Sequence, residues 1–392
     1  MKILYYSPHP NLNLAAPSGP GTHMREVINA FRQLGHEVDI LILGGEEMNQ
    51  DDNIQFKESV SKQFLKKILP ESVWQTLKDV RLRRFDRYAE QVLKQKIQDF
   101  GPDLVYERGY YLMTSGVKMS KEAGIRHMIE LNAPYPEEKI AMEGQSFLIN
   151  KSNICEYEQV TMSERVIVVS SALEKYLSDR YPEEGHKIVV TPNAININKL
   201  KVDQAKCNAL RAQLNFEDKT VIGFVGSIFP YHGVGRLLDA FTEMERDYSN
   251  ARLLIVGDGE TRPQLEAKCE ELGLSEKVHF SGNVRHKDVP NYIDLMDITV
   301  MPKSNWYGSP VKIFEYGLLK KAIIAPDNVP VRDVMVPDVD GILILDSVNE
   351  LKSALAKLLK DDELRQRVAD NFHQKVTTQH RWQDVVTKIL TS

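Results

Sequence analysis

Short apolar runs rich in Val and Ile alternate with helix-length amphipathic stretches along almost the whole chain, and they fall into two series. The first series of expected strands is Lys2–Ser7, Glu37–Leu43, Asp103–Glu107, His127–Leu131 and Arg165–Ser170. The second is Thr220–Ser227, Ala251–Gly257, Lys277–Gly282, Ile298–Met301, Ala322–Ala325 and Ile342–Leu345. Runs this short and apolar suit strands covered on both faces, which is the situation in parallel sheets flanked by helices. Gly35, Gly124 and Gly273 supply helix stops between them. The pattern predicts an α/β protein with two doubly wound, Rossmann-like domains. A polar stretch without strand pattern, Asn196–Lys219, separates the two series. It divides the chain into 1–203, 204–378 and a terminal piece, 379–392, carrying the amphipathic helix Trp382–Leu390.

The chain's 392 residues suffice for two domains. The net charge of −5 argues against a general nucleic-acid binder. Three scattered cysteines, Cys155, Cys207 and Cys269, show no metal-site spacing and imply a reducing, cytoplasmic setting. Strand pattern begins at Lys2 with no leader-like apolar run, and no window of the chain reads as a membrane span. One segment departs from the average. Between Lys57 and Lys96 there are 11 basic and 5 acidic residues, interleaved with Phe64, Ile68, Leu69, Val73, Trp74 and Leu77. This composition suits either peripheral contact with anionic lipid at the inner membrane face or a helical insertion packing its apolar side on its own domain.

Tyr307-Gly-Ser-Pro-Val-Lys-Ile-Phe-Glu315 carries the clearest chemistry. A Ser-Pro pair before an apolar helical run predicts Ser309 as N-cap and Pro310 as first helical residue. The free N–H groups of that turn and the helix dipole form an anion site at Pro310, Val311 and Lys312. Glu315, on nearly the same helix face, is placed to take two ribose hydroxyls. After the first strand, a long loop holds Gly19 and Gly21 and opens a helix near His23. It lacks the third glycine of a dinucleotide fingerprint, which argues against a nicotinamide oxidoreductase. Ser227 and His232 follow the first strand of the second series, where His232 would donate to a phosphate. Glu130 and Asn132 follow the fourth strand, suited to orienting a sugar or an acceptor hydroxyl. The turn Val256-Gly-Asp-Gly259, centred on position 258 (Asp258), permits close approach to a base or ribose.

In their order along the chain these segments resemble the retaining GT-B glycosyltransferases of the family 4 group. The segments are the glycine loop, GHEV at 35–38, ELNAP at 130–134, TPNAIN at 191–196, VGS…HGV at 225–234, VGDG at 256–259 and SPVKIFEYG at 309–317. The resemblance implies two Rossmann-like domains facing across a cleft, the second binding a nucleotide diphosphate sugar and the first an acceptor. It implies a hexosyl transfer from a donor, most often UDP-linked, to a glycan, a lipid-linked chain or a small molecule, as in polysaccharide biosynthesis. Under it, Glu315 holds the ribose, Gly19 and Gly21 close over the donor phosphates, His23 follows that loop, and Glu130 or Asn132 occupies a sugar-site position. No obligatory cofactor or metal is implied, since no DxD-like pair stands in a suitable loop.

The chain departs from the family pattern at Tyr307, where a first glutamate is usual. It departs also at Ser227 and His232, in place of Arg and Lys, and at Lys320 and Ala322, in place of Gly and Pro. Two rival readings share the architecture: a nucleotide-sugar 2-epimerase, and a non-catalytic nucleotide-sugar binder.

Overall fold

A computed structural model describes residues 1–16, 18–46 and 69–392. Residues 57–68 of the basic segment, with Phe64 and Ile68, lie outside the described residues, as does the Asp51-Asp52 pair. The chain forms two compact units. One comprises Met1–Thr191 with Val385–Ser392, the other Pro192–Asp384. Residues 192–203, grouped by sequence with the first half, pack with the second. Asn193 bonds Ser309, and the Asp203 N–H bonds the Asn291 side chain.

Each unit is built on a six-stranded, fully parallel sheet. The first runs in the order β2-β1-β3-β4-β5-β6. Its strands are β1 (Lys2–Ser7), β2 (Glu37–Ile42), β3 (Leu104–Arg108), β4 (Arg126–Leu131), β5 (Arg165–Val168) and β6 (Ile188–Val190). β6 escapes sequence reading because only three apolar residues emerge from the turn that begins at Pro182. The helices of this unit are α1 (Gly19–Gln33), α2 (Glu71–Phe100), α3 (Ser115–Ala123), α4 (Tyr135–Glu143), α5 (Ile149–Met162) and α6 (Ser171–Arg180).

The second sheet runs in the order β12-β11-β10-β7-β8-β9. Its strands are β7 (Thr220–Val225), β8 (Ala251–Val256), β9 (Val278–Gly282), β10 (Ile298–Val300), β11 (Ala322–Pro326) and β12 (Ile342–Ile344). Its helices are α7 (Gln204–Gln213), α8 (Val234–Met244), α9 (Arg262–Glu271), α10 (Val289–Asp294), α11 (Val311–Leu318), α12 (Val329–Arg332), α13 (Val348–Lys360) and α14 (Asp362–Gln379). Then comes α15 (Trp382–Thr391), whose residues from Val385 belong to the first unit.

Both faces of each sheet are covered, as the uniformly apolar strands require. In the second unit Phe224, Ile255, Ile298 and Ile324 are buried with Leu237, Phe241 and Leu355 of α8 and α13, while Ile323 and Ala325 pack with Phe314 and Phe372 on the other side. Each such side chain contributes about 1.5–3 kcal/mol relative to exposure. In the first unit, Leu4, Tyr6 and Val105 pack against Leu93 and Ile97 of α2.

The strand orders place a switch point in each sheet, between β1 and β3 in the first and between β7 and β10 in the second. There the connections leave in opposite directions, and a crevice opens beyond the strands' carboxyl ends.

Candidate nucleotide and acceptor sites

At the switch point of the second unit, two helices start without a capping side chain. Pro310, in extended conformation (φ −78°, ψ 109°), is the N-cap of α11, and Val311 is its first residue. Ser309 is therefore not the cap expected from sequence. Its Oγ accepts the Asn193 N–H at 2.9 Å, and its carbonyl accepts the Asn193 amide at 2.9 Å. With Ser309 committed to Asn193 and Pro310 at the N-cap, the cap supplies no side-chain bond to the first-turn N–H groups of α11. Gly233, the N-cap of α8, likewise supplies no capping group. Its Cα faces Pro302 and Lys303, so the loops after β7 and β10 meet. Two uncapped helix starts at one sheet edge make an anion-binding environment.

Lys312 adds a cation. Its Nζ lies 4.4 Å from the centroid of the Phe224 ring and beside Gly226. Burial pulls its pKa down to about 8, against the attraction of Glu315. Glu315 sits one turn on, and burial pushes its carboxyl up to about 7, against the pull of Lys312. The helix is fixed from behind. The Tyr316 hydroxyl accepts the Val225 N–H at 3.0 Å, and Gly317 fits against the Phe372 ring, which a Cβ would meet at 2.5 Å.

His232 behaves differently from the sequence expectation of a phosphate donor. Its Nδ1 is 2.6 Å from the Ser227 carbonyl, which can only accept, so Nδ1 carries the proton. Burial and the charge of Lys312 lower its pKa, so the neutral ring presents a lone pair on Nε2. Donation to a phosphate through Nε2 requires a second proton, which an arriving dianion would favour. Ser227 itself is exposed.

The glycines around Asp258 have a structural reason to be there. Gly257 holds φ +134°, and a Cβ on it would lie 2.0 Å from the Gly226 carbonyl oxygen; one on Gly259 would strike the Ile228 backbone. The β7 and β8 turns thus pack backbone to backbone, tied by the bond from the Ile228 N–H to the Asp258 carbonyl at 2.9 Å. The Asp258 carboxylate takes the Gly259 N–H and pairs with Arg262 at 3.2 Å.

In the first unit, β4 delivers Glu130 into a fully buried network. One carboxylate oxygen meets His23 Nε2 at 2.9 Å and the Tyr106 hydroxyl at 2.8 Å. The other takes Arg108 at 2.6 Å and the Asn132 amide at 2.6 Å. Burial would raise its pKa, but the charges of His23 and Arg108 and these hydrogen bonds hold it well below the usual carboxylate range. With four partners and 1% exposure, Glu130 has nothing left for a substrate. It positions His23, Arg108 and half-buried Asn132.

α1 begins at Gly19, four residues ahead of the expected start at His23, because Ser18 caps it by accepting the Gly21 N–H at 3.2 Å. Gly19 and Gly21 thus lie in the first helical turn. A Cβ on Gly21 would sit 2.4 Å from the Ala16 carbonyl, whereas Gly19 has open space around it.

Sequence reasoning missed Arg108, Tyr106, His9 and Tyr110. The His9 and Tyr110 rings lie 3.8 Å apart across the β1/β3 switch point. His9 Nδ1 accepts the Asn11 N–H, and burial together with the Arg108 charge lowers its pKa to about 4. Their signal was the polar end of β3, where Arg108 extends the expected strand by one residue.

Comparison with known proteins agrees with this architecture. The family model for glycosyl transferases group 1 matches residues 208–375, and that for glycosyltransferase family 4 matches residues 17–199. The alpha-D-kanosaminyltransferase of Streptomyces kanamyceticus is 28% identical over 231 residues, 55% of this chain and 59% of that protein. The lipopolysaccharide 1,2-N-acetylglucosaminetransferase of Salmonella typhimurium is 24% identical over 259 residues, 62% of this chain and 65% of that protein. The matched stretch therefore spans less than two thirds of either relative. Among solved structures, Anabaena HepE in complex with UDP superposes with a TM-score of 0.71 at 18% identity, covering 100% of this chain and 98% of that one. Sucrose-phosphate synthase of Thermosynechococcus elongatus superposes with a TM-score of 0.74 at 17% identity, covering 99% and 97%. With one family model on each half and this likeness of fold, the chain belongs to the group 1 glycosyltransferases of the GT-B fold.

Proposed function

We propose that this protein is a retaining glycosyltransferase that takes a hexose from a UDP-linked donor bound by the second unit. The observation that carries the reading is the uncapped first turn of α11, with Lys312 beside it and Glu315 one turn on. The diphosphate rests on the N–H groups at 311–313 and on the start of α8, with Lys312 and Ser227 beside it. Glu315 accepts the ribose hydroxyls, and the turn at Asp258 borders the base. When the bond between the anomeric carbon and the diphosphate oxygen breaks, negative charge grows on the leaving group. Preorganised N–H groups and Lys312 stabilise that charge. The acceptor hydroxyl bonds to the anomeric carbon from the same face, and its proton passes to the departing phosphate oxygen.

The first unit supplies the acceptor side through His23, Asn132, Arg108 and His9, held by Glu130. The acceptor is a glycan, a lipid-linked chain or a small molecule, and the name of the lipopolysaccharide 1,2-N-acetylglucosaminetransferase supports the first two. HepE binds UDP, which supports uridine as the base.

A panel of nucleotide sugars scored by thermal shift identifies the donor, because ligand binding raises the melting temperature by mass action. Glu315→Ala should abolish most of that shift and cut transfer at least a hundredfold, equivalent to about 2.7 kcal/mol. Pro310→Asp, which sets a negative charge against the diphosphate, should weaken donor binding more than Lys312→Ala. Equal donor binding by all three variants and the parent would refute the site.

A further inference from the structure

We infer that the outer face of α2, together with the loop joining α4 to α5, docks on an anionic lipid surface. The 30-residue helix α2 is sorted by charge. Its two central acids, Asp79 and Asp86, turn inward, Glu90 is half-buried, and the exposed acids Glu71 and Asp99 stand at its two ends. Asp79 accepts the Tyr111 hydroxyl at 2.9 Å and faces Lys139, while Asp86 takes the Thr114 and Ser115 N–H groups and Arg83. The exposed positions between Leu77 and Gln98 are Lys78, Arg81, Arg84, Arg87, Lys94, Tyr88 and three glutamines, with no acid among them. Lys78 pairs with Glu143 and Lys94 with Glu122, but Arg81, Arg84 and Arg87 form no ion pair with any described residue.

Apolar side chains from a second segment join the amino end of this stripe. The Phe147 N–H bonds the Thr76 hydroxyl at 2.9 Å, and Gln75 reaches the Glu143 carbonyl, so the stretch 142–147 lies beside Leu77. Phe147 is 73% exposed, Met142 63% and Leu77 52%. Apolar side chains standing out beside arginines that pair with no described residue fit the headgroup–acyl boundary of a bilayer: the guanidinium groups meet the phosphates and the apolar groups enter beneath them. A nucleic acid would use the arginines and leave Phe147 and Met142 idle. A second copy of this chain, itself carrying the same positive stripe, would meet repulsion.

The surface is separate from the nucleotide site, so its test needs no donor. The full chain is sedimented with phosphatidylcholine vesicles, with and without phosphatidylglycerol. Binding is expected only to the anionic vesicles and should weaken as salt rises. Arg81→Gln/Arg84→Gln/Arg87→Gln should lower vesicle affinity on the order of a hundredfold, and Met142→Ser/Phe147→Ser should lower it with less change in salt dependence. Both variants should keep the parent's melting temperature and nucleotide-sugar thermal shift, since these side chains are exposed. Absence of binding to anionic vesicles, unchanged binding by the variants, or equal retention by single-stranded DNA would overturn the proposal. So would a dimer in analytical centrifugation that Phe147→Ser dissociates.

Discussion

Glu315 and Lys312 form a poised pair in the second unit. Without a ligand, burial brings the carboxyl up to about 7 and the ammonium down to about 8, so both titrate near neutrality. The donor needs the carboxylate ionised, to accept ribose hydroxyls, and the ammonium protonated, to face the diphosphate. Donor affinity should therefore rise as pH climbs through about 7 and fall beyond about 8. Calorimetric titration of the donor across this range checks it: Glu315→Gln should flatten the acid limb, and Lys312→Met the alkaline one. Stability runs the other way. A carboxyl whose folded pKa is raised stabilises the fold least once it must ionise, so the ligand-free protein loses stability between about 4.5 and 7 through Glu315. Glu315→Gln should then raise the melting temperature at pH values above that window by a gain of about 1–2 kcal/mol, while weakening donor binding. A lower melting temperature there would show that the carboxylate is not strained in the empty site.

At the scale of elements, α11 ends in a Schellman turn. The Lys321 N–H bonds the Tyr316 carbonyl at 3.0 Å, and the Lys320 N–H bonds the Gly317 carbonyl at 3.1 Å. This geometry requires Lys320 to sit at φ +55°, where a side chain costs about 1–2 kcal/mol. The resemblance sets a glycine there, and the turn gives the reason. Lys320→Gly should stabilise the protein by about 1 kcal/mol, net of its exposed pair with Asp370, in urea denaturation with unchanged m-value. Local rules of this kind were legible where the answer lies within a few residues: the strand series apart from β6, the helix stops and, to within one residue, the start of the 309–317 helix followed from spacing. Long-range partners were not legible. Ser309 reads as a cap until Asn193, more than a hundred positions earlier, takes its hydroxyl. Glu130 reads as a candidate catalytic carboxylate until His23, Tyr106, Arg108 and Asn132 occupy both its oxygens. The position of Gly257 looks like room for a ligand, and only the folded backbone shows that the neighbour is Gly226.

At the scale of the whole molecule, the two units share an architecture but differ in how they treat charge at the sheet's carboxyl edge. The first neutralises it internally: Glu130 is saturated, Arg108 faces it, and His9 is held neutral. The second leaves it open, with two uncapped helix starts, a depressed ammonium and a raised carboxyl. An anion therefore relieves an unmet electrostatic demand in the second unit, and a nucleotide diphosphate held there should change the two units unequally. Hydrogen exchange on the full chain, with and without UDP, reads this directly. Residues 226–234 and 311–318 should exchange more slowly, by up to about a hundredfold at a hundred times the dissociation constant. The network at 106–110 and 130–132 should be unchanged, because the diphosphate is held by the second unit. Protection centred on 106–132, with none at 311–318, would move the nucleotide to the first unit and leave the start of α11 without a role in binding.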